Sequence, residues 1–117
     1  MKKIQIEVIK THFDEDLAKE YGVKSPCPAH KVGEVFISNG FDKPENFCDE
    51  AWKAIYQYVF ALAHMGENEI FYFKDWITKP KVAINSCNDG VRPVIFKLTQ
   101  LDEESKTPEF YKTNDGQ

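Results

Sequence analysis

Apolar and polar residues alternate along the first segment of the chain. Between Lys3 and Lys10, the apolar residues Ile4, Ile6 and Val8 fall on one face and polar residues fall mostly on the other. This period of two is typical of a strand with one buried face. The pattern therefore predicts a half-buried strand at the start of the fold.

Two shorter elements follow this strand. Residues 14–21 predict a short helix, because an acidic start is followed by apolar residues at helical spacing and then by Gly22. The stretch 25–28 predicts an extended loop, since a proline follows two of its residues and disfavours helix there. Residues 31–37 predict a second, short strand.

The clearest helix of the chain is predicted over about residues 47–65. We take Asn46 as its N-cap, acidic residues in its first turn suit the positive end of the helix dipole, and Gly66 marks its end. Its apolar positions recur at spacings of four and three, and they are Cys48, Trp52, Ile55, Val59 and Leu62. Further aromatic residues widen this face, so the helix is expected to be buried on most sides. The dense aromatic stretch 70–77 has no clear period and fits either a strand or an irregular cover over the core.

A hairpin is predicted around the sequence 88–90, Asn-Asp-Gly, which is strong turn chemistry. A two-residue loop would pair Ile84 with Ile95, whereas a three-residue loop would pair Ile84 with Val94. The second register gives one clean apolar face and places Gly90 in the left-handed position of a bulged turn. We therefore expect the three-residue loop.

Together these elements predict an α+β domain in which a small, mainly antiparallel sheet packs against one long helix. The length of 117 residues suits a single domain. We assign residues 1–101 to it and residues 102–117 to an acidic tail. The whole chain has a net charge of -4, and the tail, with five acidic residues and two lysines, carries -3 of it, which leaves -1 for the domain.

Composition excludes several classes of protein. No apolar run approaches the roughly 18–20 residues that a membrane span needs, and the polar residues after the basic start argue against a signal peptide. The acidic balance argues against binding of duplex DNA or other nucleic acid, whose phosphates require a basic face. We expect a cytoplasmic protein, with an oligomer or protein contact through the aromatic segment 70–77 or through the tail.

The chain has three cysteines, an odd number, and no export signal, which argues against a disulfide framework. Cys27 and His30 are separated by two residues in a loop stiffened by prolines, so both could reach one metal ion. Cys48 lies at the start of the long helix, where the dipole stabilises a thiolate. Cys87 precedes the hairpin turn, where backbone N–H groups can point at its sulfur, and in the preferred register it lies opposite Val91.

Three thiolates and one imidazole would complete a tetrahedral site, so Cys27, His30, Cys48 and Cys87 are the predicted ligands of zinc or iron. Each cysteine taken alone could equally be a small residue that fills space in the core. Asp89 and Arg92, which flank the hairpin turn, and Trp52, on the same helix stripe as Cys48, are further candidates for the site.

Three functions fit this pattern. The first is a binding or accessory module built on the metal or thiol site. The second is a cysteine-dependent redox or nucleophilic enzyme, with Cys48 as nucleophile, His30 as base and Cys87 as resolving thiol. The third is an interaction module without metal, in which all three cysteines are buried.

Several local sequences resemble those of a family of small prokaryotic proteins without a known function. They are Lys-Val-Gly at 31–33 with Phe36, the run 47–52 (Phe-Cys-Asp-Glu-Ala-Trp), and the run 86–96 from Ser-Cys-Asn-Asp-Gly to Pro-Val-Ile-Phe. The resemblance covers most of residues 3–98 and implies a single domain. It also implies cysteines in the loop, at the helix start and before the hairpin turn, which Cys27, Cys48 and Cys87 match. Members usually carry a shorter, glycine-rich link where this chain has residues 67–76.

Overall fold

The computed structural model describes residues 1–66, 75–77 and 79–106. Their fold is α+β, as predicted: two helices and a four-stranded antiparallel sheet make up the regular structure of these residues. In chain order the elements are β1 (Lys2–Thr11), α1 (Glu15–Tyr21), β2 (Val35–Ser38), α2 (Asp49–His64), β3 (Val82–Ser86) and β4 (Val94–Glu104). None of the helices in this part of the chain is long and apolar enough to cross a membrane.

The sheet has the strand order β2-β1-β4-β3, so the two long strands β1 and β4 form its centre. Ile6 lies opposite Phe36 of β2 on one side and opposite Leu98 of β4 on the other. The pairing of β1 with β4 shifts between Val8 and Lys10, where the ladder is irregular. The short strands β2 and β3 occupy the edges.

The core lies between one face of this sheet and α2. The alternating residues predicted from the sequence, Ile4, Ile6 and Val8, are fully buried, as are Phe96 and Leu98 of β4. Helix α2 contributes Ile55, Val59 and Leu62, which its periodicity marked, together with Ala51 and Ala63. The expectation that this helix is buried on most sides is wrong, because Tyr56 and Phe60 are exposed and one face alone meets the sheet. Removing these side chains from water is the main contribution to the stability of the fold.

Helix α1 begins and ends where the sequence predicts. A side-chain oxygen of Asp14 accepts the backbone N–H of Leu17 at 3.0 Å, which satisfies one of the free donors of the first turn. Gly22 follows the last turn with φ of 79°, a left-handed conformation that glycine adopts without steric penalty.

The start of α2 differs from the prediction. Cys48, rather than Asn46, is its N-cap, and Asn46 instead adopts a positive φ of 63° in the loop before the helix. Asparagine tolerates this left-handed conformation better than most residues, so Asn46 shapes the approach to the helix instead of capping it. The helix ends at His64, one residue before the predicted end.

The hairpin between β3 and β4 also differs from both predicted registers. Ile84 lies opposite Lys97, and Cys87 pairs with Val94 instead of Val91. The connection is longer than predicted because the Asp89 side chain accepts backbone N–H groups of the loop and holds it as a wider turn. Gly90 is not among the residues with positive φ, so the predicted bulged turn does not form.

The last strand continues three residues beyond the predicted domain boundary at residue 101. Lys2 lies opposite Glu104, and its ammonium group pairs with that carboxylate at 2.7 Å. Lys3 pairs with Glu103 at 2.9 Å. Part of the acidity assigned to the tail is therefore matched by lysines of β1. The rest of the tail, 107–117, and residues 70–74 of the aromatic segment, through which we predicted a protein contact, lie outside the described residues.

Candidate thiol pocket

All three cysteines of the chain line one cavity of about 480 Å³. They come from three elements: Cys27 from the loop after α1, Cys48 from the N-cap of α2, and Cys87 from the residue after β3. The other residues that line this cavity, which we call the thiol pocket, are Pro28, Ala29, Glu50, Ala51, Asn88, Asp89 and Arg92. Each cysteine is a free thiol and partly exposed.

Cys27 reaches the pocket because the fold places its loop beside the start of α2. The prolines on either side of it restrict the backbone to extended conformations, so few alternative loop shapes compete with this one. Arg92 fixes the loop from the opposite side, since its Nη1 donates a hydrogen bond to the carbonyl oxygen of Ser25 at 3.2 Å. The loop and the β3–β4 turn are thereby joined at the pocket.

Cys48 lies where the free N–H groups of a 16-residue helix begin. Its side chain makes no capping hydrogen bond to the first turn, and its backbone N–H donates a hydrogen bond to His30 Nε2. The sulfur therefore lies at the positive end of the α2 dipole.

Cys87 is held by Val94 through two hydrogen bonds. Its N–H donates to the Val94 carbonyl oxygen at 3.1 Å, and the Val94 N–H donates to the Cys87 Sγ at 3.3 Å. The second bond directs a backbone N–H of β4 at the sulfur. The sequence predicted a backbone donor at this sulfur but placed it in the turn, not in β4.

Asp89 and Arg92 form the charged side of the pocket. The Asp89 Oδ1 accepts the N–H groups of Val91 and Arg92 at 2.9 and 3.0 Å, and Oδ2 accepts Arg92 Nε at 3.1 Å. The backbone N–H of Arg92, followed by that of Val91 and the guanidinium, lowers the pKa of Asp89 despite partial desolvation. Asp89 is therefore ionised at neutral pH, and its charge is matched within the turn.

His30 is not one of the residues that line the thiol pocket. It is 3% exposed, its Nδ1 lies 3.1 Å from Glu34 Oε1, and its Nε2 accepts the Cys48 N–H at 3.2 Å. Because Nε2 accepts a hydrogen bond, the proton of the neutral ring lies on Nδ1 and points to Glu34. Both ring nitrogens are thus engaged, and His30 has no lone pair free for a metal ion.

This geometry does not fit the tetrahedral Cys₃His site predicted from the sequence. In residues 1–66, 75–77 and 79–106, no group of three or more His, Cys, Asp or Glu side chains is placed to hold a metal ion. The structure brings the three cysteines to one pocket and sets the histidine apart from them. Zinc or iron binding stays a prediction from the sequence.

Trp52 belongs to a different part of the surface. Its ring contacts those of Phe47 and Tyr56, with centroids 6.2 and 6.5 Å apart. It lines a second cavity, of about 340 Å³, together with Phe41, Tyr56, Gln57 and Phe60. Although Trp52 is four residues from Cys48 on α2, it is therefore not part of the thiol pocket.

Two residues that support the pocket were missed in the sequence. Glu34 holds the His30 ring and also accepts the Lys31 N–H at 2.7 Å, and Glu50 lines the pocket from the first turn of α2. The four-residue spacing of His30 and Glu34 was the available signal for the first of these contacts. It could not be interpreted without the loop conformation.

Comparisons of this chain with protein-family models, with curated proteins and with solved structures find no match. What the thiol pocket does is accordingly inferred from its own side chains.

Proposed function

We propose that this chain is a small thiol-dependent binding protein, in which the pocket lined by three cysteines binds one thiol-reactive small molecule. The observation that carries the proposal is the convergence of Cys27, Cys48 and Cys87 on one cavity. These residues are far apart in sequence and are all the cysteines of the chain. Cysteines that merely filled space would have no reason to meet at one partly open surface.

The size of the pocket favours a small molecule as ligand. About 480 Å³ lies within the range of roughly 300–1,000 Å³ that small-molecule sites occupy, and a single ion fills only a small part of it. Pro28, Ala29 and Ala51 provide apolar walls beside the three sulfurs. A ligand would thus be partly desolvated where the thiols can reach it.

The electrostatics of the pocket support thiol chemistry. Its two carboxylates are each paired with a cation, since Asp89 binds Arg92 and Glu50 binds Lys53 at 2.9 Å. Little uncompensated negative charge then opposes a thiolate, while the first turn of α2 favours one. We further propose a cytoplasmic location, because three free thiols persist in a reducing compartment.

Thiol reactivity measured against an unfolded reference tests this proposal. The rate of alkylation by iodoacetamide is followed by mass spectrometry for the native protein, for the same protein in urea, and for the three single Cys→Ser variants. We expect at least one cysteine of the native protein to react about tenfold faster than the unfolded chain, because the pocket stabilises its thiolate. The variant that lacks all three cysteines is the matched control for reaction at other side chains.

The two rival functions give other results. The metal-binding module would be favoured by stoichiometric zinc or iron in protein purified without added metal. Each single Cys→Ser variant would then lose the metal, and its remaining thiols would lose their protection from alkylation. Three native thiols that react more slowly than the unfolded chain, with no bound metal, would overturn the proposal and leave the interaction module.

A further inference from the structure

We infer that Cys87 is the attacking thiol of this pocket and that its partner is a small disulfide carrying an anionic group. This inference rests on the proposed function and assigns a role and a ligand class within it. It departs from the expectation from the sequence, in which Cys48 was the nucleophile and His30 its base.

Hydrogen bonding distinguishes the sulfur of Cys87 from that of Cys48. Within the described residues, Cys87 Sγ accepts a backbone hydrogen bond, from Val94 at 3.3 Å, whereas the Cys48 side chain makes no capping bond. The donor belongs to the long central strand β4, where Val94 lies opposite Thr11 of β1, so its position is fixed by the sheet ladder. A fixed donor stabilises charge on sulfur without reorganisation at the moment of reaction.

His30, the base expected from the sequence, is not directed to any of the thiols. His30 Nε2 accepts the Cys48 backbone N–H, and the other ring nitrogen faces Glu34, so neither nitrogen is directed to a thiol. Cys48 thus lacks the base expected of it, and only the helix dipole is left to stabilise its thiolate. Cys87 Sγ instead accepts a direct hydrogen bond from a backbone N–H, which requires no base.

The hydrogen-bond donors of the pocket indicate the class of the ligand, since the charge of Arg92 is itself paired with Asp89. Arg92 has five N–H donors, of which its Nε and Nη1 bind Asp89 and Ser25, and its side chain lines the pocket. Cys48, Glu50 and Ala51, from the N-cap and first turn of α2, line the same pocket, which therefore lies at the positive end of the helix dipole. Remaining guanidinium donors and a helix N-terminus together favour a carboxylate or similar anion on the ligand.

The reaction is a thiol–disulfide exchange. The Cys87 thiol loses its proton to solvent, and the thiolate attacks one sulfur of the disulfide R–S–S–R. A bond forms between Cys87 Sγ and that sulfur as the S–S bond of the ligand breaks. The leaving R–S⁻ takes up a proton, so Cys87 becomes oxidised to a mixed disulfide and one ligand sulfur is reduced to a thiol.

Three disulfides of different charge test the inference: oxidised glutathione, which carries carboxylates, neutral 2-hydroxyethyl disulfide, and cationic cystamine. The released thiol gives the initial rate, and peptide mass mapping identifies the modified cysteine. We expect Cys87 to be modified first, with a rate that falls about tenfold or more in Cys87→Ser and less than about threefold in Cys27→Ser and Cys48→Ser. For each disulfide, the rate of the native protein is divided by the rate of the unfolded chain with the same disulfide. We expect this ratio to be highest for oxidised glutathione.

The role of Arg92 is tested by Arg92→Gln, with Arg92→Lys retaining the charge and Lys19→Gln as a matched loss of charge on α1. We expect the preference for oxidised glutathione to fall about threefold or more in Arg92→Gln alone. Far-UV circular dichroism confirms that each variant is folded.

Different results would overturn different parts of the inference. First modification at Cys27 or Cys48 overturns the assignment of Cys87 but leaves the proposed function standing. Equal relative rates for the three disulfides, or a preference unchanged in Arg92→Gln, overturn the anionic ligand. Reaction of every thiol no faster than in the unfolded chain overturns the proposed function itself.

Discussion

The backbone N–H of Cys48 donates to Nε2 of His30 at 3.2 Å, which ties the loop of Cys27 to the first turn of α2. The ring that accepts this bond packs against Phe36, Phe47 and Phe96, with centroids 5.0 to 5.9 Å apart. One buried imidazole thus satisfies a donor of the helix start and closes the core beside the thiol pocket.

His30→Ala should lower the free energy of unfolding by about 2–4 kcal/mol. The substitution leaves a cavity among aromatic rings and removes the acceptor of the Cys48 N–H. Urea denaturation measures the change. The control is His64→Ala, a loss of the same side chain at the exposed end of α2, which should cost less than about 1 kcal/mol. Equal losses in the two variants would contradict the role assigned to His30.

Glu34 should make stability depend on pH in the acid range. The Lys31 N–H, and next the His30 ring, lower the pKa of Glu34 below its ordinary value of 4.5 despite some desolvation. A carboxyl group whose pKa is lower in the folded state stabilises the fold above pH 4.5, and this contribution disappears as the pH falls through the folded value.

Urea denaturation between pH 3 and pH 7 checks this prediction with the Glu34→Gln variant. We expect the variant to lose less stability than the parent protein on acidification, while Glu20→Gln, at an exposed position on α1, behaves as the parent. A parallel pH dependence of parent and Glu34→Gln would show that the carboxylate contributes nothing.

Gln100 should be required for the end of α2. Its amide Nε2 donates to the carbonyl oxygens of Leu62 and Met65, each at 2.7 Å, so a residue of β4 caps the last turn of the helix. Gln100→Glu replaces this donor with a carboxylate beside the negative end of the helix dipole, and should lower the free energy of unfolding by about 2–4 kcal/mol.

Thermal unfolding followed by circular dichroism measures the effect of Gln100→Glu. The control Glu103→Gln reverses the same chemical change on the same strand, at an exposed position, and should shift stability by less than about 1 kcal/mol. Recovery of Gln100→Glu at low pH, where the carboxyl group is neutral, would be expected, and a loss that persists unchanged would argue against the electrostatic explanation.

Gly40 should tolerate alanine much less than Gly33 does. Both have φ of 99°, but a Cβ at Gly40 would lie 2.6 Å from the Ala63 Cβ of α2, whereas one at Gly33 would meet nothing within 4 Å. Gly33→Ala therefore reports the backbone strain alone, about 1–2 kcal/mol, and Gly40→Ala adds a steric clash of about 1–3 kcal/mol. Comparison of the two midpoints in urea isolates the clash, and equal midpoints would refute it.

The elements of the fold could be predicted from local patterns. Alternation of Ile4, Ile6 and Val8 and the helical spacing from Ile55 to Leu62 reflect which faces leave water, and these faces are the core of the structure. The caps of α1 follow from Asp14 and Gly22 for the same local reason. The prediction of the turn before β4 was wrong, because hydrogen bonds to the Asp89 side chain make the turn wider than its sequence indicates.

The sequence by itself determined the α+β class, the main buried face of the first strand and an odd number of cysteines that cannot all pair within the chain, since periodicity and residue counts are local or additive properties. Only the tertiary structure decided that these thiols share one pocket and that His30 serves the helix start instead. The reason is physical: a residue type sets what a side chain can bind, but its partners depend on which distant segments the sheet and helix bring within hydrogen-bonding distance.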